Sequence, residues 1–161
     1  MTRPVHPTFR DLTGTEGLAL LARNHVARIA YSFHDHVDIE PIGYVFADGA
    51  IYMRTSPGSK LATLTRAPWV ALEVDEIEGP FDWQSVVAHG TVYLLRESGS
   101  PTDRATYRTA VDHLRRLMPE VLTEEDPVPA RRILLRLVPD ELTGRAASTK
   151  DSKSSGRDGG G

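Results

Sequence analysis

The 161-residue chain is 40% hydrophobic and 25% charged, the composition of one ordinary globular domain. It has no cysteine, which excludes disulfide frameworks, thiolate metal sites, iron–sulfur clusters and cysteine nucleophiles, and its net charge of -3 argues against a role built on neutralising nucleic-acid phosphates. No apolar run approaches the roughly 20 residues that cross a bilayer, and Met1 to Asp11 lacks the basic-then-apolar order of a signal peptide, so a cytoplasmic location is expected.

Thr13 and Glu16 have capping-box spacing ahead of Leu18, Leu21 and Ala22, which predicts a short helix over 13–23 packed through that face. Val26 to Phe33 alternates, with Ala27, Ile29, Tyr31 and Phe33 on one side, as a half-buried strand does. After a polar break at His34-Asp35-His36, residues 37–47 and 50–54 flank Asp48-Gly49, a hairpin dipeptide, and two antiparallel strands follow. Residues 55–58 read as a turn, and Ser59 to Arg66 as a short helix stopped by Pro68. Trp69 to Ile77 and Trp83 to Leu95 are the next strands, broken apart by Gly79-Pro80; the second turns Val86, Ala88, Val92 and Leu94 inward and Trp83, Ser85, Val87 and His89 outward. Ser100-Pro101 opens a helix whose stripe is Tyr107, Ala110, Val111, Leu114, Leu117 and Met118. Arg131 to Val138 alternates as a sixth strand. Residues 1–145 are thus expected to form one mainly-β domain, a six-stranded antiparallel barrel with peripheral helices, and residues 146–161, rich in Ser, Gly and Lys, a disordered tail.

The stretch from Arg54 to Lys60 carries chemistry. One Arg, three hydroxyls, a Gly and a Lys lead into a helix start, where backbone N–H groups and the helix dipole favour an anion, and these are the parts of a phosphate site. The same residues also suit a solvated turn whose hydroxyls cap the helix. Trp83-Gln84-Ser85 places an aromatic beside a hydroxyl and an amide, which fits a planar heteroaromatic ring or a dimer seam equally. His34-Asp35-His36 sits in a turn with no third ligand cluster nearby and is read as solvated, so no metal site is expected. Rossmann and Walker glycine loops and a nucleophile elbow are absent from the sequence.

Between Thr13 and Arg145 the chain resembles the pyridoxamine 5′-phosphate oxidase-like FMN-binding split-barrel superfamily, above all its nitroimidazole-resistance-type branch. The resemblance rests on Pro41-Ile42-Gly43-Tyr44 before Asp48-Gly49, Ile51-Tyr52-Met53-Arg54-Thr55, Gly58-Ser59-Lys60, Val70 to Asp75, and Trp83-Gln84-Ser85-Val86-Val87 running to Gly90. It implies a homodimer that binds FMN between subunits. Arg54, Thr55, Ser59 and Lys60 would hold the phosphate, the backbone of Glu40, Pro41, Ile42 and Gly43 would line the isoalloxazine, and Met53 would also belong to the cofactor site. Trp83 and Ser85 would reach in from the partner, and Arg145 would approach the flavin. The implied activity is electron transfer from a reduced nicotinamide to a small acceptor; a flavin- or haem-binding carrier or sensor, or a deazaflavin-dependent reductase, are the alternatives. The segment after the last strand lacks the Trp-containing pattern with which true pyridoxamine phosphate oxidases hold their substrate, so vitamin B6 oxidation is not the expected reaction.

Overall fold

The computed structural model describes residues 4–150. These residues form β1 (Thr8–Asp11), α1 (Gly14–Arg23), β2 (Val26–Phe33), β3 (His36–Ala47), β4 (Ala50–Thr55), α2 (Ser59–Arg66), β5 (Trp69–Gly79), β6 (Asp82–Leu94), α3 (Pro101–Leu117), β7 (Ile133–Leu137) and β8 (Glu141–Ser148). The six strands read from the sequence pair in the order β6-β5-β2-β3-β4-β7, and β7 pairs again with β6, which closes them into an antiparallel ring. The mainly-β antiparallel class is therefore the expected one, but the sheet has 8 strands rather than six, because β8 extends β6 and β1 extends β8. β8 also moves the expected boundary: Ala146, Ala147 and Ser148 pair with Arg10, Phe9 and Thr8, so the folded chain continues past Arg145. Residues 151–161 of the expected tail lie outside the described residues.

Two local sequence features shape the ring. At the β3–β4 turn Asp48 and Gly49 both have positive φ, 52° and 77°, the conformation that a two-residue type I′ hairpin demands and that Asp-Gly tolerates. At Gly90, β6 changes partner from β8, which it pairs over Trp83 to His89, to β7, which it pairs over Val92 to Leu94. A Cβ at Gly90 would stand 2.7 Å from the Val138 carbonyl oxygen, so only glycine lets the β7–β8 connection cross the strand there.

Inside the ring, Ile29, Tyr44, Met53, Leu72, Val74, Val86, Leu135 and Leu137 form one buried cluster. Each such side chain contributes on the order of 1.5–3 kcal/mol by leaving water. α1 covers this cluster, fixed by the expected Thr13–Glu16 capping box and by the Tyr44 hydroxyl, which donates to the Leu21 carbonyl at 2.7 Å. Its buried face is Gly17, Leu20 and Leu21, whereas Leu18 is exposed and the predicted Leu18–Leu21–Ala22 face is rotated from the true one. Gly17 explains the rotation: a Cβ there already meets Val86 Cγ2 at 3.3 Å, so the helix lies closest to the sheet at its residue without a side chain.

α3 packs outside the ring through Ala110 and Leu114 onto Ala50, Tyr52 and Leu134. His113 takes an inward position, its ring centroid 5.1 Å from that of Tyr52. Leu117, predicted within the apolar stripe, is exposed because the helix ends there, ahead of Pro119. Among the described residues no helix is long and apolar enough to cross a membrane.

Candidate cofactor site

β3, β4 and α2 converge on a cleft of about 270 Å³. Glu40, Pro41 and Ile42 form one wall, and Arg54 through Lys60 form the other. The convergence is local in origin: the Asp48-Gly49 hairpin sets β4 antiparallel to β3, and Ser56-Pro57-Gly58 turn the chain at once into α2. α1 and α3 both begin with complete capping boxes, whereas α2 has no side-chain cap and no acidic residue in its first turn. The orphan N–H groups at its start are thus uncapped by side chains, and because Gly58, Ser59 and Lys60 line the cleft, the positive end of the helix dipole lies at its wall.

Charge in the cleft is arranged by two ion pairs. Lys60 Nζ contacts Glu40 Oε1, and Glu40 also accepts a 3.1 Å hydrogen bond from the Tyr31 hydroxyl. Lys60 first, and then Tyr31, hold the Glu40 carboxyl below its ordinary range against the opposing effect of burial. Arg54, expected at a phosphate, lines the cleft but is already paired: its guanidinium makes a bidentate pair with Asp126, at 2.6 and 3.1 Å. Both partners are nearly buried, with side-chain exposures of 9% and 1%. Asp126 also accepts from the Leu122 and Val128 N–H groups, each at 2.9 Å, and these bonds with Arg54 push its carboxyl far down. Arg54 therefore clamps the segment before β7 against β4. That clamp carries Arg131 to the cleft, a cation the sequence reading missed.

The other expected site residues divide. Met53 points into the ring core and is fully buried, so its side chain does not line the cleft. Gly43, opposite Val26 in the β2–β3 ladder, is likewise not among the lining residues. Thr55 lines the cleft but is only 5% exposed, with its hydroxyl near the Ser56 carbonyl at 3.5 Å. Trp83, Ser85 and Arg145 come together with one another on the β6–β8 ladder, where Ser85 lies opposite Arg145 and Trp83 opposite Ala147. Ser85 donates to Glu73 at 2.9 Å, and Arg145 reaches Asp11 at 3.7 Å. Burial foremost, then the neighbouring Asp75, raises the Glu73 carboxyl above its usual range. Within one chain these three residues and the Glu40–Lys60 cleft share no hollow among those described.

The two groups are joined by the outward face of the sheet. Pro41 stands opposite Arg28, Arg28 opposite Glu73, and Glu73 opposite Val87, in the row next to Asp75, Ser85 and Arg145. Around that row the face exposes Val26, Val37, Ile39, Trp69 and Ile77, with Val37 at 74% and Ile39 at 68%.

Residues 14–146 match the family described as pyridoxamine 5′-phosphate oxidase. The chain belongs to that family. An uncharacterized protein of Rhizobium meliloti (strain 1021) is 30% identical over 81 residues, 50% of this chain, and the chain spans only 54% of that relative's length. Among solved structures, an FAD-binding protein of Mesorhizobium loti superposes with a TM-score of 0.70 at 24% identity, over 87% of this chain and 98% of its own. An FAD and haem binding protein of Mycobacterium smegmatis gives 0.62 at 16% identity, over 86% and 73%. At these identities the two structures establish likeness of fold.

Proposed function

We propose that this family member binds a flavin, as FMN or as the FMN half of FAD, and passes electrons from a reduced nicotinamide to a small acceptor in the cytoplasm. The observation that carries the reading is the uncapped start of α2, opening onto a cleft that holds Ser59, Lys60 and Arg131. A phosphoryl group there would receive helix N–H groups, the Ser59 hydroxyl and two cationic side chains. Arg54 acts at one remove, as the positioning residue that pairs with Asp126 and donates from Nη1 to the Arg131 carbonyl at 3.4 Å. Glu40 holds Lys60 across the mouth of the cleft and would share it with the incoming anion. The backbone of Glu40 to Ile42 offers the edge along which a flat ring would lie. A bound flavin supplies the redox chemistry itself, so the chain's own residues need only bind, orient and keep water away.

The second part of the reading is a homodimer. A sheet face exposing Val37, Ile39, Trp69 and Ile77 is larger and more apolar than isolated surface hydrophobics require. A two-fold pairing of this face would set Trp83 and Ser85 of one copy toward the Glu40–Pro41 edge of the other, completing a site that one chain leaves open. The outcome expected on purification is a yellow dimer whose flavin absorbance bleaches when NADH or NADPH is added without oxygen. Bound flavin that no nicotinamide reduces would make the protein a carrier or sensor. A Soret band would indicate haem, and a colourless monomer that rejects both FMN and FAD would refute the proposal.

A further inference from the structure

Away from that cleft, the largest hollow among those described, about 680 Å³, lies between α3 and the segment leading to β7. Arg104, Arg108, Arg115 and Arg132 line it, against two carboxylates, Glu97 and Asp112. Outside the hollow, Arg10, Arg23, Arg28, Arg54 and Arg145 each have an acidic partner, and among the described residues Arg66, Arg96, Arg116, Arg131 and Arg136 have none. Among the described residues none of the four guanidiniums in the hollow has one. Four guanidiniums against two carboxylates thus leave a net positive concavity in a protein whose net charge is -3. Two of the four are held in position by the backbone: Arg115 Nε donates to the Val121 carbonyl at 2.9 Å, and Arg104 Nη1 to the Gly99 carbonyl at 2.8 Å. The remaining lining includes the ring of Tyr107 with Val111 and Leu122. Burial, then Glu97, pushes the Tyr107 hydroxyl up, so it stays a neutral donor.

We infer that this hollow binds the phosphates and base of a nucleotide, of the adenosine diphosphate class. Arginine forks match phosphate oxygens in pairs, whereas a flat ring beside aliphatic side chains suits a base. The hollow is larger than inorganic phosphate alone would fill. The inference does not rest on the flavin reading. A free nucleotide and the adenylate half of FAD present the same chemistry, and the hollow and the flavin cleft border one segment, with Arg132 lining the first and Arg131 the second.

The test is calorimetric titration of the full chain with ADP, adenosine and pyrophosphate. ADP is expected to bind once per chain, to weaken as salt is raised, and to lose about tenfold or more in affinity in the R108Q/R132Q double variant. Both arginines are exposed, and an unchanged melting temperature shows that the fold is kept. Lys60→Ala, which tests the flavin cleft, should leave ADP affinity as it was. Two outcomes support the site and identify its source. If ADP binds equally to FMN-loaded protein and FAD does not displace it, the ligand is a free nucleotide. If FAD displaces ADP, and R108Q/R132Q weakens FAD but not FMN, the ligand is the adenylate of FAD. Absence of ADP binding, binding indifferent to R108Q/R132Q, or adenosine or pyrophosphate binding as tightly as ADP would overturn it.

Discussion

The α2 cleft and the β6–β8 patch both carry residues that the family resemblance assigns to one ligand, yet they are built differently. Apart from Arg131, the cleft lining falls between Glu40 and Lys60, where a hairpin and a turn bring it together within one chain. The patch of Trp83, Ser85 and Arg145 depends on β8 returning from far along the chain to pair with β6, and it faces outward. A local arrangement can hold an anion by itself, whereas an outward patch acquires a role only when a second surface meets it. On the proposed reading, the cleft would recognise phosphate and the patch would serve assembly.

The sharpest way to break that division is at the clamp behind the cleft. Asp126→Ala leaves the buried Arg54 guanidinium uncompensated and should cost roughly 3–5 kcal/mol of stability, read by urea unfolding. Its pH dependence has a definite sign. The Asp126 carboxyl is held below its unfolded value of 3.8, so its contribution is complete above that pH and is lost as the pH falls through about 4 and below. Asp126→Asn should therefore flatten the acid side of the stability profile; an acid limb identical to the wild type's would show that the pair contributes nothing.

Trp83→Ala comes next, with an expected loss of about 2 kcal/mol or more in dimerisation if the tryptophan is an anchor of the interface. Sedimentation of the variant against the wild type reads it. A dimer of undiminished strength would detach the patch from assembly. Lys60→Ala is expected to weaken FMN binding by about 1.5–3 kcal/mol while the dimer persists. Loss of the dimer together with the flavin would mean that the two regions are not separable.

Much of the ring was legible in sequence because alternation and turn chemistry are local. The Asp48-Gly49 hairpin and the Ser59–Arg66 helix are where their residues indicate. β1 and β8 were not legible: all of Thr8–Asp11 is exposed, and Glu141–Ser148 holds a glycine and two alanines, residues that read as strand only when a neighbouring strand supplies the pairing. In the site, Ser59 and Lys60 announce themselves by lying at a helix start. The commitment of Arg54 to Asp126 could not be read, since the partners are 72 residues apart and nothing in either segment marks the other. Arg131 follows from that same long-range clamp. The core position of Met53 was within reach, because it sits two residues from Ile51 on the same inward face of β4.

Recognition of a phosphoryl group by the cleft is read by titrating FMN beside riboflavin, since the two differ only in that group. FMN should bind tighter than riboflavin by about tenfold or more in the wild-type protein, with most of that preference lost in Lys60→Ala. Equal affinity for FMN and riboflavin in the wild type would contradict it.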